Sequence, residues 1–211
     1  MSKPLPAVVR THLTALRVLL VLTVILGVAY PLLITGISQI AFTDKANGSP
    51  VESDGKEIGS SLVGQSFNLP KANPDDPKEE AQPDPKWFQP RPSAAGTGYD
   101  ASSSGASNLG PNNEDLLKAV DDRRAAVAAF DGVDPASVPA DALTASGSGL
   151  DPHISVAYAR EQVDRVARNR NLPVETVTRL VDEYTESRSL GFLGNEGVNV
   201  VLLNKALGEQ K

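Results

Sequence analysis

Cysteine is absent from this 211-residue chain, which removes disulfides, thiolate metal sites and a cysteine nucleophile together. Its absence does not fix the compartment. Histidine occurs twice, at His12 and His153, so a zinc site built from several imidazoles is not expected. Basic residues are in deficit: 20 Lys and Arg stand against 26 Asp and Glu, a formal net charge of −6. Nucleic acid is therefore not an expected partner. What remains is a globular balance of 40% apolar and 22% charged residues, enough for one ordinary domain plus an appendage.

The charges are unevenly spread. Residues 1–42 carry Lys3, Arg10 and Arg17 and no acid, which leaves 17 basic and 26 acidic residues, a net of −9, for residues 43–211. Between them "VLLVLTVILGVAYPLLITGISQI", Val18 to Ile40, runs for 23 residues without a charge. As a helix it spans roughly 35 Å, against a hydrocarbon core of about 30 Å. The run exceeds a signal-peptide core of ~7–15 residues, and no small-x-small cleavage site follows it. The expected layout is a cytoplasmic N-terminus at 1–17, a transmembrane helix at 18–40, a connecting segment at 41–57 and a domain at 58–211. Lys and Arg on the short side place residues 43–211 outside the cell. Pro31 interrupts the run, as membrane helices tolerate. Thr23 and Gly27 form a small-xxx-small pair on which another helix can pack.

The exterior part reads as one α+β domain with about three main helices and short strands. Ile58 to Phe67 has strand character, and "WFQP" at Trp87 to Pro90 is expected as a strand or edge on the core. Lys71 to Lys86, with four prolines and eight charges in 16 residues, is expected as an exposed loop. A helix should begin after an Asn112 or Asn113 cap, bury Leu116, Leu117, Val120, Val127 and Phe130, and stop at Gly132. Ala142 to Thr144 reads as extended. A second helix should start at Ser155 with Arg160, Arg165, Arg168 and Arg170 outside, and a third should follow Pro173. Val198 to Val200 reads as a last strand leading into an amphipathic turn or helix. Pro92 to Asn113 is the ambiguous stretch. Fourteen of its 22 residues are Gly, Ser, Asn or Pro, the composition of a linker.

Candidate chemistry is sparse. Ser146, Ser148, Asp151 and His153 lie close together, but the Gly-x-Ser-x-Gly elbow is incomplete, and an Asp151–Pro152–His153 turn ahead of the Ser155 helix is the better reading. The acids at Asp75 to Glu80 lack the rhythm of a calcium loop. The Gly/Ser turns "SGASNLG" and "ASGSGLDPHIS" sit beside helix starts, where backbone N–H groups hold anions, yet neither ends as a P-loop does.

Five blocks in order carry something more specific: "GSSLVGQSF", "RPSAAG", "SSGASNLGPNN", "VPADALTASGSGLDPHISVAYAREQVDRVARNRNL" and "LGFLGNEGVNVVLLNKAL". With the N-terminal span they make the chain resemble the C subunit of the bacterial Kdp-type potassium-transporting ATPase. The resemblance implies a non-catalytic accessory subunit, not an enzyme. Its implied partners are a channel-like potassium-binding subunit, a P-type ATPase subunit and a small single-span subunit, within membrane lipid. It implies assembly or stabilisation of a high-affinity ATP-driven uptake complex, and a catalytic-chaperone effect that raises the ATPase subunit's affinity for ATP. The charge asymmetry makes that effect indirect, because the domain lies on the side away from cytosolic ATP. Potassium is then the cargo, and no cofactor, metal or catalytic residue is assigned. The residues expected to meet partners are Thr23, Gly27, Asn108, Asp151 and His153. Because Asn108 to Pro111 belong to one of the five blocks, the ambiguous stretch is expected to be an ordered loop, with its Ser and Asn side chains bonding the backbone.

Overall fold

The structure, a computed structural model, describes residues 6–73, 79 and 81–210. The chain divides into two compact units, residues 1–49 and 50–211.

The first unit is a helix, α1, over Ala7–Ala41, 35 residues long and apolar enough to cross a membrane. It starts well before the expected Val18, because Pro6 precedes it and residues 7–17 carry no breaker. At about 1.5 Å per residue it reaches roughly 52 Å, longer than a hydrocarbon core needs. Pro31 lacks an N–H and its ring crowds the carbonyl one turn back. The helix answers with a wider π turn over Ile25–Ala29, closed by the Tyr30 N–H on the Ile25 carbonyl. A short helix, α2 (Thr43–Ala46), follows.

The second unit opens with a hairpin that the expected connector at 41–57 did not include. Strand β1 (Pro50–Ser53) pairs antiparallel with β2 (Lys56–Ser60). Asp54 and Gly55, both at positive φ, form the two-residue turn that suits such a hairpin. Strand structure ends at Ser60, so Leu62, Val63 and Phe67 lie in irregular chain. Of the expected Lys71–Lys86 loop, residues 74–78 and 80 lie outside the described residues. Its end is not loose: the Asp84 N–H donates to the Phe67 carbonyl (3.0 Å) and Pro83 bridges Asn68.

Helix α3 (Glu114–Asp131) is capped by Asn113, whose side chain accepts from the Leu116 N–H, and closes on Gly132 in the left-handed conformation. Leu117 does not join its buried stripe and is 52% exposed. The expected extended piece at Ala142 to Thr144 is instead the end of a one-turn helix, α4 (Ala140–Leu143). Strand β3 (His153–Ile154) comes next, then α5 (Val156–Glu161) on its Ser155 cap, α6 (Val163–Arg170) after a break at Gln162, and α7 (Val174–Glu183). Strands β4 (Thr185–Glu186) and β5 (Gly197–Asn199) complete an antiparallel sheet in the order β3-β5-β4. Asn199 ends β5 one residue early, because its side chain caps α8 (Val200–Gly208) by accepting from Val201 and Leu202 N–H groups.

Val198 on β5, Val166 on α6, Val177 and Val181 on α7, and Leu203 and Leu207 on α8 are fully buried together. Phe88 joins them without belonging to a strand. Its backbone is satisfied by a side chain: the Phe88 N–H donates to Asn204 Oδ1, and Asn204 Nδ2 donates back to the Phe88 carbonyl, both at 2.9 Å. Gln162 serves Gln89 in the same way, at 2.6 and 3.0 Å. Two buried amides thus replace the neighbouring strand that an extended segment in a core requires.

Arg165, expected outside, is buried. Its Nε donates to Asp131 Oδ1 at 2.6 Å, Nη1 to the Pro85 and Trp87 carbonyls, and Nη2 to Gln162 Oε1. The guanidinium also lies 4.3 Å from the centre of the Phe130 ring. Four donated hydrogen bonds and one aromatic ring surround the cation, which is what makes a buried charge tolerable.

Candidate functional site

The stretch that composition assigns to a linker is a shaped loop. Ser93 Oγ donates to the Gly149 carbonyl (2.6 Å) and accepts from the Ala95 and Tyr99 N–H groups. The Tyr99 hydroxyl donates to the Arg91 carbonyl, and burial pushes its pKa up. The Gly105 N–H and the Ser104 hydroxyl both reach the Ser148 carbonyl. Small residues permit the approach. A Cβ on Gly149, which sits at φ 68°, would come within 2.6 Å of the Gly105 carbonyl and 2.7 Å of the Ala95 nitrogen. Asn108 is exposed, at φ 53°, with its amide on the Ala106 carbonyl (3.2 Å).

This loop positions Arg91 at the edge of a cleft of about 540 Å³ that also takes in Asp141, Asp151, His153, Ser155 and Glu186. Asp151 is an Asx turn: its Oδ1 accepts from the His153 N–H at 3.0 Å and faces His153 Nδ1 at 3.3 Å. Its other oxygen pairs with Arg91 at 3.3 Å. Glu186 on β4 places a carboxylate 3.3 Å from His153 Nε2, outside hydrogen-bonding geometry. The bond to Asp151 raises the His153 pKa, and Glu186 reinforces it against partial burial. The bond to His153 holds the Asp151 carboxyl below its usual range. The imidazole therefore braces the Asp151 turn against β4.

A nucleophilic triad would need one ring nitrogen on the acid and the other on a hydroxyl. Here both nitrogens face carboxylates, while the Ser148 hydroxyl lies against Ser146 and accepts from the Leu150 N–H. Ser155 donates to Asp141 and accepts from the Tyr158 N–H. Nearby, burial and then Asp131 and Asp141 push the Glu161 carboxyl up to about 7, and its Oε1 is buried without a partner among the described residues. Among the described residues no cluster of three or more His, Cys, Asp or Glu is arranged to hold a metal ion.

Of the residues expected to meet partners, Asp151 and His153 come together in this cleft. Asn108 lies elsewhere on the loop surface, and Thr23 and Gly27 lie on the exposed surface of α1 in the first unit. Sequence reasoning missed Arg91 and Glu186. Sheet register brings Glu186 beside His153, and no local motif announces it.

The family profile for K+-transporting ATPase, c chain, matches residues 12–209. The chain is 51% identical over 207 residues to the potassium-transporting ATPase KdpC subunit of Kineococcus radiotolerans, covering 98% of this chain and 97% of that one. It is 50% identical over 205 residues to the protein of that name from Streptomyces avermitilis, covering 92% and 91%. It is 49% identical over 200 residues to the one from Mycobacterium tuberculosis, covering 94% and 97%. On a match that takes in both the apolar helix and the folded unit, the chain belongs to the K+-transporting ATPase c-chain family.

Proposed function

We propose that the chain is a non-catalytic accessory subunit of a high-affinity, ATP-driven potassium-uptake complex. The observation that carries the reading is a family match from residue 12 in α1 to residue 209, just past the end of α8. In this reading α1 anchors the chain in the membrane and packs on larger subunits, with Thr23 and Gly27 on its small face. Arg10 and Arg17 keep the N-terminus cytoplasmic, and residues 50–211 lie outside. The partners are the channel-like subunit, the P-type ATPase subunit and the small single-span subunit, and potassium is their cargo. The effect on ATP is an indirect rise in the ATPase subunit's nucleotide affinity. The backbone donors of the two Gly/Ser turns support the indirect route, since Gly105, Gly149 and Leu150 spend their N–H groups inside the domain.

The test is affinity purification of the tagged full chain from membranes of potassium-starved cells. Retention of the ATPase and channel-like subunits is expected; recovery of the chain alone refutes the reading. Removing the chain from the complex should raise the KM for ATP, and an unchanged KM sinks the chaperone role. With no native cysteine, Ala125→Cys supplies a single exposed thiol. An impermeant maleimide should label it in intact cells, and labelling only after lysis reverses the orientation.

A further inference from the structure

Strands β4 and β5 are joined by residues 187–196, and this connection is a finger. Its tip closes on itself: Ser189 and Leu193 exchange both backbone hydrogen bonds at 2.9 Å, and the Phe192 N–H donates to the Ser189 carbonyl at 3.3 Å. Leu190 and Gly191 occupy the two central positions at φ 55° and 81°, the positive-φ geometry in which Asn and Gly are favoured. Leucine there bears backbone strain. It also gains nothing from the fold, since Leu190 is 82% exposed, with Phe192 at 70% and Leu193 at 50%. A tip that served only as a turn would be relieved of both penalties by an asparagine. Strain and exposure at one residue are the pattern of a group held ready for something outside the fold.

Charge distinguishes the two surfaces that take an apolar knob. Elements that insert into lipid ring their apolar residues with Lys and Arg. Here Arg188 is the one basic residue of the finger and is balanced by Glu196, Glu186 adds an acid at its foot, and residues 43–211 together carry −9. An anionic lipid surface repels this element, whereas an apolar pocket in a protein accepts it. We propose that the finger tip, led by Leu190 and Phe192, docks into an apolar pocket on a partner subunit of the potassium-transporting complex. The inference rests on the accessory-subunit reading. It adds to it a contact surface led by residues outside the expected set, on a finger whose Ser189 and Leu193 line the same cleft as Asp151 and His153.

The experiment uses the full chain in its complex. Leu190→Asn combined with Phe192→Ser should leave the chain's unfolding midpoint unchanged or higher, because the strain is removed. The same variant should cut the amount of partner subunits retained through a salt wash at least tenfold. A photoreactive benzoylphenylalanine at position 192 reads the contact independently of variant stability and should crosslink to a protein subunit. Undiminished retention by the double variant, or a crosslink to lipid alone, overturns the finger and leaves the accessory reading standing. A wild-type chain that retains no ATPase subunit overturns the accessory reading, and the finger with it.

Discussion

Arg165→Met is expected to be among the most damaging single changes in the folded unit. The methionine preserves most of the volume and removes the charge. It abandons Asp131, whose side chain is 1% exposed, together with the Pro85 and Trp87 carbonyls and Gln162 Oε1. Removing one member of a buried pair costs about 3–5 kcal/mol, chiefly by stranding the other. For a unit of roughly 160 residues, where 1 kcal/mol moves the midpoint by about 2–4 °C, Tm should fall by about 6–20 °C. Trp87 is the sole tryptophan and stacks on Arg170 (4.1 Å), so its fluorescence during thermal unfolding of the full chain in detergent reports the transition. The deficit should depend on pH with a definite sign. Burial raises the Asp131 pKa and only Arg165 opposes it. In the variant the carboxylate takes up a proton more readily, so the loss is greatest above its folded pKa and shrinks as pH falls through it. Arg165→Met with Asp131→Leu should recover much of the loss. A cost below about 1 kcal/mol for Arg165→Met, or no coupling with Asp131→Leu, would refute the assignment of this network as the polar centre of the core.

His153 has a raised pKa, so its stabilising charge is fully present below the unfolded value and is lost as pH rises through the folded one. Above about pH 7, beyond the Glu161 window, melting midpoints should therefore fall more for the native chain than for His153→Gln. Glu161, an acid raised to about 7, acts with a different window: stability falls as pH climbs from its ordinary carboxylate range to about 7 and is level above. Glu161→Gln should remove that slope in the same melts. Gly149→Ala should destabilise by about 1–3 kcal/mol, the usual cost of a strained backbone position, because its Cβ meets the Gly105 carbonyl at 2.6 Å. Denaturant midpoints check it, and a neutral result would mean that the two loops do not pack as described.

Local chemistry made several elements legible. Asn113 and Gly132 bound α3 where side-chain capping and a left-handed stop require, and Ser155 starts α5 for the same reason. Asp54-Gly55 is an equally local signal for the first hairpin, yet the strongly polar surroundings read as connector. Where the sequence misled, the determining contact is distant. Helical spacing puts Arg165 beside Gln162 and Val166, and an arginine is expected in water until Asp131, 34 residues earlier, neutralises it. Glu186 meets His153 only because β4 and β3 flank β5.

Composition failed most plainly at Pro92 to Asn113, and the reason bears on how the cleft is built. A Gly/Ser tract stays loose when nothing approaches its backbone. Here the tract and the Ser146–Gly149 turn are both short in side chain, so two backbones close to hydrogen-bonding distance and Ser93 and Tyr99 lock the result. That packing fixes Arg91. One line of contacts then runs outward from the core: Arg165 to Gln162, Gln162 to the Gln89 backbone, and, two residues on, Arg91 to Asp151, Asp151 to His153, His153 to Glu186. Glu186 is the last residue of β4, from which the finger departs. The buried polar groups thus do more than satisfy one another. They anchor the foot of the finger to the core, which gives an exposed, strained tip the fixed position that docking requires.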